Sequence, residues 1–101
     1  MNRKKSSIEI RLDGPHEGLS LSFDPEAQAL YIRVREGKVA RTVEVEDGVT
    51  VDLSPSGLPI GIEFLKPARP DVLDRIARDF GIPGVAEVST LGEVAGMFAP
   101  A

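Results

Sequence analysis

The chain has 101 residues, 42% of them hydrophobic and 28% charged, which is ordinary for one globular domain. Its net charge of -4 argues against a nonspecific grip on nucleic-acid phosphates, and its lack of cysteine excludes disulfides, thiolate metal sites and cysteine nucleophiles. Because the sequence has neither an apolar leader nor an apolar stretch of membrane-spanning length, we expect a cytoplasmic protein whose partners include no membrane and no nucleic acid.

The chain opens with a polar segment and a first strand. Residues 1–7 carry three basic side chains and predict a disordered, solubilising tail. Ile8, Ile10 and Leu12 then alternate with charged residues, which predicts a short strand that ends at the turn-forming sequence DGP.

The next two apolar segments predict a hairpin. Residues 19–23 (LSLSF) and 29–35 (ALYIRVR) each alternate apolar and polar side chains, and the turn sequence DPEAQ separates them. Asp24 in this turn can accept hydrogen bonds from nearby backbone. Pairing Phe23 with Leu30 places the apolar side chains of both strands on one face.

Three further turns, EGK, EDG and SPSG, predict that each later strand pairs with the strand before it, so that the sheet is a β-meander. Gly48 is expected in the left-handed position of the EDG turn. The predicted pairs are Ile32 with Val43, Leu30 with Val45, Val45 with Val49, Val43 with Val51, Leu53 with Leu58, Val51 with Ile60, and Val49 with Ile62.

All four turns place the apolar side chains on the same face of the sheet. A slip of one residue in any hairpin would expose half of that apolar set to water, so the agreement is informative. The predicted core face consists of Leu19, Leu21, Phe23, Leu30, Ile32, Val34, Val43, Val45, Val49, Val51, Leu53, Ile60, Ile62 and Phe64.

Residues 69–81 (RPDVLDRIARDFG) predict an amphipathic helix that packs on this face. Pro70 suits the first helical turn and Gly81 suits the end of the helix. The apolar stripe of the helix contains Val72, Leu73, Ile76, Ala77 and Phe80. A helix of about eleven residues is near 16 Å long, too short to cover the whole sheet. Further cover is therefore required.

A short C-terminal helix is one candidate for that cover, because Leu91, Val94 and Phe98 lie at helical spacing. The other candidate is a second copy of the chain or a small partner protein, so we expect a homo-oligomer, in the simplest case a dimer, or a complex. In that case Leu91, Val94 and Phe98 are the best candidates for the residues that bind the partner. The predicted architecture is one α+β domain, with an antiparallel five- to six-stranded sheet over residues 8–68 and a helical extension over residues 69–101.

About half of the chain carries a pattern that resembles a known family. The pattern is an aromatic residue followed by DPEA, then LYI, EDGV, VDL, a Gly-bearing turn and GIE, over residues 21–68. It resembles the small bacterial family catalogued as domain of unknown function 2283. The resemblance implies a small, mostly β domain of undetermined activity with no catalytic residues to carry over. It also suggests, through a loose association with toxin and antitoxin operons, the hypothesis of an antitoxin-like role.

The predicted outward face of the sheet is polar. Its members are Tyr31, Arg33, Arg35, Thr42, Glu44, Glu46, Thr50, Asp52 and Glu63. In the predicted register, Tyr31 faces Glu44 and Arg33 faces Thr42. One interpretation is a solvated face of mixed charge, in which each cross-strand pair contributes roughly 0.2–1 kcal/mol. The functional interpretation is that Tyr31, Arg33 and Arg35 bind a partner protein, because aromatic and Arg side chains anchor interfaces.

Other candidate chemistry has less support. Glu44, Asp52 and Glu63 have the groups for paired-carboxylate catalysis or a hard metal, but nearby Arg33 explains the acids as charge partners. His16 is the only histidine and lies in a polar turn. We therefore expect a noncatalytic protein-interaction or oligomerisation domain without cofactor or metal. The alternative is a small enzyme or ligand-binding protein that uses the polar sheet face.

Overall fold

The computed structural model describes residues 8–11, 19–66 and 68–82, and for residues 8–11 it describes the backbone alone. These residues form an antiparallel six-stranded sheet and one helix, which confirms the α+β class. The elements are β1 (Ile8–Arg11), β2 (Ser20–Asp24), β3 (Ala29–Arg33), β4 (Arg41–Glu46), β5 (Val49–Leu53), β6 (Pro59–Phe64) and α1 (Pro70–Phe80). The predicted basic tail and the predicted C-terminal helix lie outside the described residues.

The strand order is β1-β2-β3-β6-β5-β4, which corrects the predicted meander at one junction. β3 pairs with β6, so that Ile32 lies opposite Ile62 instead of opposite Val43. Residues 34–40 carry the chain from β3 past β6 and β5 to the outer strand β4. The last four strands therefore form a Greek-key arrangement, in which the final strand returns beside the first.

Composition explains why β6, and not β4, lies beside β3. β6 has the sequence PIGIEF and is buried at every residue except Glu63, as a central strand requires. β4 has the sequence RTVEVE, and its side chains are exposed or half-buried, which suits an outer strand. Alternation in the sequence determines the face that a side chain occupies, but it does not determine which strand lies alongside.

Two hairpin registers differ in how well they were predicted. In the β2–β3 hairpin, Phe23 lies opposite Leu30, which confirms the prediction. In the β5–β6 hairpin, Val51 lies opposite Ile62, and the predicted partner Ile60 was wrong by two residues. Because side chains alternate with a period of two, this shift of two residues leaves Val51 on its predicted face. The register is irregular between Asp52 and Leu53, so Leu53 lies opposite Pro59 and its predicted pairing with Leu58 was wrong as well.

A β-bulge in β4 reverses the predicted orientation of Glu46. Thr50 pairs with Glu44 and Val49 pairs with Glu46, so Val45 is the extra residue of β4, and its predicted pairing with Val49 was wrong. A bulge changes which face the following side chain occupies. Glu46 was predicted on the polar face, but it accepts a hydrogen bond from Arg75 of α1 at 2.9 Å and therefore lies on the helix side.

The common apolar face is confirmed. Ile32, Ile62, Val51 and Val43 form one row across β3, β6, β5 and β4. All predicted members of the face are buried except Val43 and Val45, which are half-buried because β4 is an outer strand. Each fully buried aliphatic side chain contributes about 1.5–3 kcal/mol, so this face is the main source of stability.

Helix α1 begins and ends as predicted. Pro70 occupies the first turn, and Gly81 has the left-handed conformation at φ 65°, which costs little without a Cβ. The Ile82 amide donates to the Ala77 carbonyl at 3.0 Å and closes the last turn. Val72, Leu73 and Ile76 are buried, and the partly buried Ala77 and Phe80 complete the predicted stripe. In the part of the chain that the structure describes, no helix has the length and apolarity to cross a membrane.

Candidate functional site

The face of the sheet opposite α1 is polar and carries two ordered rows of side chains. Because β3 pairs with β6, Tyr31 faces Glu63 and Arg33 faces Gly61, which corrects the predicted partners Glu44 and Thr42. The first row continues from Glu63 to Thr50 and Glu44 on the next two strands, and the second continues from Gly61 to Asp52 and Thr42.

Tyr31 reaches across a neighbouring strand to bond with Asp52. Its hydroxyl donates to Asp52 Oδ2 at 2.9 Å, although β6 lies between the strands that carry the two residues. The ring passes over Gly61, where a Cβ atom would overlap the hydroxyl and would lie 2.9 Å from Tyr31 Cε2. The missing side chain at Gly61 is therefore what allows Tyr31 to reach Asp52.

Asp52 joins three strands through its carboxylate. One oxygen accepts the Tyr31 bond from β3, and the other accepts a bond from Thr42 Oγ1 of β4 at 2.6 Å. Partial burial, followed by the hydrogen bond and the charge of Asp52, raises the pKa of Tyr31 to about 12, while the charge of Arg33 acts in the opposite direction. Tyr31 therefore remains a neutral hydrogen-bond donor at physiological pH.

The predicted partner-binding residues occupy different positions. Tyr31 and Arg33 lie on the polar face, in adjacent rows. Arg35 follows β3, and its Nε donates to the Pro59 carbonyl at 2.8 Å, so it anchors the start of the crossing segment to β6. The remaining candidates Leu91, Val94 and Phe98, together with His16, lie outside the described residues.

The carboxylates of the polar face do not converge in the described part of the sheet. Glu63 and Glu44 belong to β6 and β4 with Thr50 between them, and both oxygens of Asp52 accept protein hydrogen bonds. Among residues 8–11, 19–66 and 68–82, no group of three or more His, Cys, Asp or Glu side chains could hold a metal ion. The arrangement can present hydrogen-bonding groups to a partner, but it offers no general acid and base facing each other.

A small cleft of about 100 Å³ lies on the helix side of the sheet, where the bulge of β4 meets the start of α1. Its lining consists of Glu46, Val49, Phe64, Lys66, Arg69 and Val72. The charged groups around it already have partners, because Arg69 contacts Asp71 at 2.7 Å and Lys66 lies 3.9 Å from Asp47. The hydrogen bond from Arg69 also lowers the pKa of Asp71. The sequence did not predict this cleft, because it depends on the bulge.

Comparison with known proteins agrees with the resemblance seen in the sequence. No curated protein matches the chain, and no solved structure matches it. One family model matches, over the part that runs from β2 to the residues just after β6. Residues 21–66 thus resemble the family described as "Protein of unknown function (DUF2283)", a description that assigns no activity.

Proposed function

We propose that the chain is a noncatalytic protein-interaction domain that presents the polar face of its sheet to a partner protein. The observation that supports this most directly is the fixed position of Tyr31, whose ring lies over Gly61 and whose hydroxyl is bonded to Asp52. A Tyr held in one orientation loses little conformational entropy on binding, and Tyr and Arg are the side chains that most often anchor interfaces.

The position of Arg33 strengthens this proposal. It shares β3 with Tyr31 and lies opposite Gly61, so no side chain of β6 stands beside it. Arg33 and Tyr31 together offer guanidinium donors and an aromatic ring on rigid strands, which is a better platform for recognition than a loop. We therefore assign the centre of the contact surface to Tyr31 and Arg33.

The alternative of a small enzyme or ligand-binding protein has less support from the geometry. Catalysis requires a group whose proton or lone pair is free to act on a substrate, whereas Asp52 has both oxygens engaged. Ligand sites are typically concave, and Tyr31, Asp52 and Thr42 lie on a sheet surface.

The antitoxin-like hypothesis is a specific form of the same proposal. In this form the partner is a basic protein, and the net charge of -4 contributes to its attraction. Such a complex would dissociate as salt is raised, because exposed charges are screened over about 8 Å at physiological ionic strength. Dependence of copurification on salt tests this form separately. We propose the cytoplasm as the location, on the ground that the sequence contains no cysteine.

The test is affinity capture from the native host with three immobilised variants. Wild-type protein and Arg78→Ala are expected to retain the same partner, because Arg78 is exposed on α1, away from the polar face. Arg33→Ala is expected to lose that partner by about tenfold or more, the size of a typical interface hot spot. Loss of the partner by Arg33→Ala supports the proposed surface if its melting temperature equals that of the wild type, whereas retention of the same partner by all three proteins would argue against it.

A further inference from the structure

The outer edge of β4 has the properties of a pairing edge. β4 ends the sheet, and nothing in the described part of the chain pairs with its outer side. Residues Arg41 to Glu44 run in regular register with β5, before the bulge. The strand contains no Lys and no Pro, two of the residues that commonly block edge-to-edge pairing, and its apolar residues Val43 and Val45 are only half-buried. The bulge, which is another feature that limits such pairing, lies at Val45, beyond the regular segment.

The charges on β4 are arranged so that the strand is complementary to itself. Arg41, Val43 and Glu46 lie on the helix side of the sheet, since Arg41 is opposite Leu53 and Glu46 contacts α1. A positive charge thus stands at one end of the strand, a valine at the centre and a negative charge at the other end. Antiparallel pairing of two such strands places the positive end of each beside the negative end of the other.

We propose that two copies of this chain pair through β4, antiparallel, about a two-fold axis at Val43. In this register Val43 meets its own copy, and Arg41 lies opposite Val45 of the second copy, next to Glu46. The apolar row from Ile32 to Val43 then continues from one sheet into the other. Both helices lie on the same side of a twelve-stranded sheet, since the described sheet has six strands.

Charge excludes the neighbouring arrangements. Parallel pairing would place Arg41 beside Arg41 and Glu46 beside Glu46, and a two-fold axis at Glu44 would place that carboxylate against itself. A two-fold axis at Thr42 would place Arg41 opposite Val43, out of reach of Glu46. Of these three axes, only the axis at Val43 joins opposite charges at both ends without placing like charges against each other.

The dimer should be weak, because about five residues of each copy take part and the interface falls in the small class of specific contacts. We expect a dissociation constant on the order of micromolar. The proposed edge is two strands away from Tyr31 and Arg33, because β6 and β5 lie between β3 and β4, so this inference stands independently of the proposed function.

The absence of native cysteine allows a direct test by single-cysteine cross-linking in the full chain. In Val43→Cys the two introduced residues would be directly opposite, about 4.5–5.5 Å apart between Cα atoms, which suits a disulfide. In the matched controls Arg41→Cys and Val45→Cys, each cysteine would lie four residues from its own copy along the ladder, about 13 Å away. Mild oxidation should therefore give a covalent dimer at least about tenfold faster with Val43→Cys than with either control.

Adding Arg41→Glu to Val43→Cys should slow cross-linking about fivefold or more, because it replaces two attractive contacts by repulsive ones. The same charge reversal at the exposed residue Arg78 should leave the rate unchanged. Equal cross-linking at positions 41, 43 and 45, or no dimer from a folded Val43→Cys variant, would overturn the proposal. Arg33→Ala should not change cross-linking, so loss of the proposed partner and loss of this dimer are separable.

Discussion

The contact between Tyr31 and Gly61 predicts that adding a single methyl group at Gly61 destabilises the protein. In Gly61→Ala the new Cβ would overlap the Tyr31 hydroxyl and lie 2.9 Å from Cε2, closer than the roughly 3.5–4.0 Å of a carbon–carbon contact. The ring must swing away, and its 2.9 Å bond to Asp52 is lost. We expect a cost of about 1–2 kcal/mol, composed of one half-exposed hydrogen bond and the packing of the ring.

The double mutant determines whether that mechanism is correct. In a Tyr31→Ala background the space above Gly61 is open, and replacing a strand glycine by alanine removes backbone entropy from the unfolded chain. Gly61→Ala is then expected to be neutral or to stabilise by up to about 1 kcal/mol, so that the effect changes sign. Chemical denaturation of the wild type, both single variants and the double variant measures the coupling. An equal loss of stability in both backgrounds would refute the proposed contact.

Three further predictions follow from the same structure. Folding raises the pKa of Tyr31 from 10.0 to about 12. The neutral Tyr31 side chain therefore stabilises the folded state fully below pH 10, and this stabilisation is lost as the pH rises through 12. The contribution is on the order of 1 kcal/mol after allowance for solvent screening. Tyr31 is the only tyrosine, so the absorbance of tyrosinate measures its titration directly. Tyr31→Phe should remove this contribution to the loss of stability at alkaline pH. A titration midpoint near pH 10 in the folded protein would contradict the burial of the ring. Ile62 is fully buried between β3 and β5, so Ile62→Ala should lower the free energy of unfolding by about 2–5 kcal/mol, measured in urea. Val43→Ala, on the outer strand, should lower it clearly less. Equal losses would argue against the strand order. Gly81→Ala should lower the free energy of unfolding by about 1–2 kcal/mol, because φ is 65° at this residue. Thermal unfolding measures the loss, and an unchanged melting temperature would mean that the end of α1 rearranges freely.

The sequence predicted the faces of the sheet better than the neighbours of its strands. Leu21, Ile32 and Val51 alternate with polar residues, and that pattern alone assigns each of them to the apolar side. The pairing of β3 depends instead on the competition between β4 and β6. The sequence does indicate that β6 is the more central strand, because PIGIEF has one charged residue and RTVEVE has three.

The sequence identified the residues of the candidate site but not how they are arranged. Tyr31 and Arg33 were identified by residue type, but the role of Gly61 follows only from the β3–β6 pairing that places it beside Arg33. The orientation of Glu46 was wrong because a β-bulge leaves no clear mark in a run of alternating residues.

The most direct measurement of the central claim is the solvent accessibility of Tyr31 in the complex. Tyr31 is the only tyrosine and lies on the proposed contact surface, so oxidative footprinting read by mass spectrometry reports on that surface through one peptide. We predict that Tyr31 reacts several-fold more slowly when the captured partner is bound, while Phe80 at the end of α1 reacts at the same rate in both states. Equal reactivity of Tyr31 in the free and bound chains would contradict the assignment of the polar face as the binding surface.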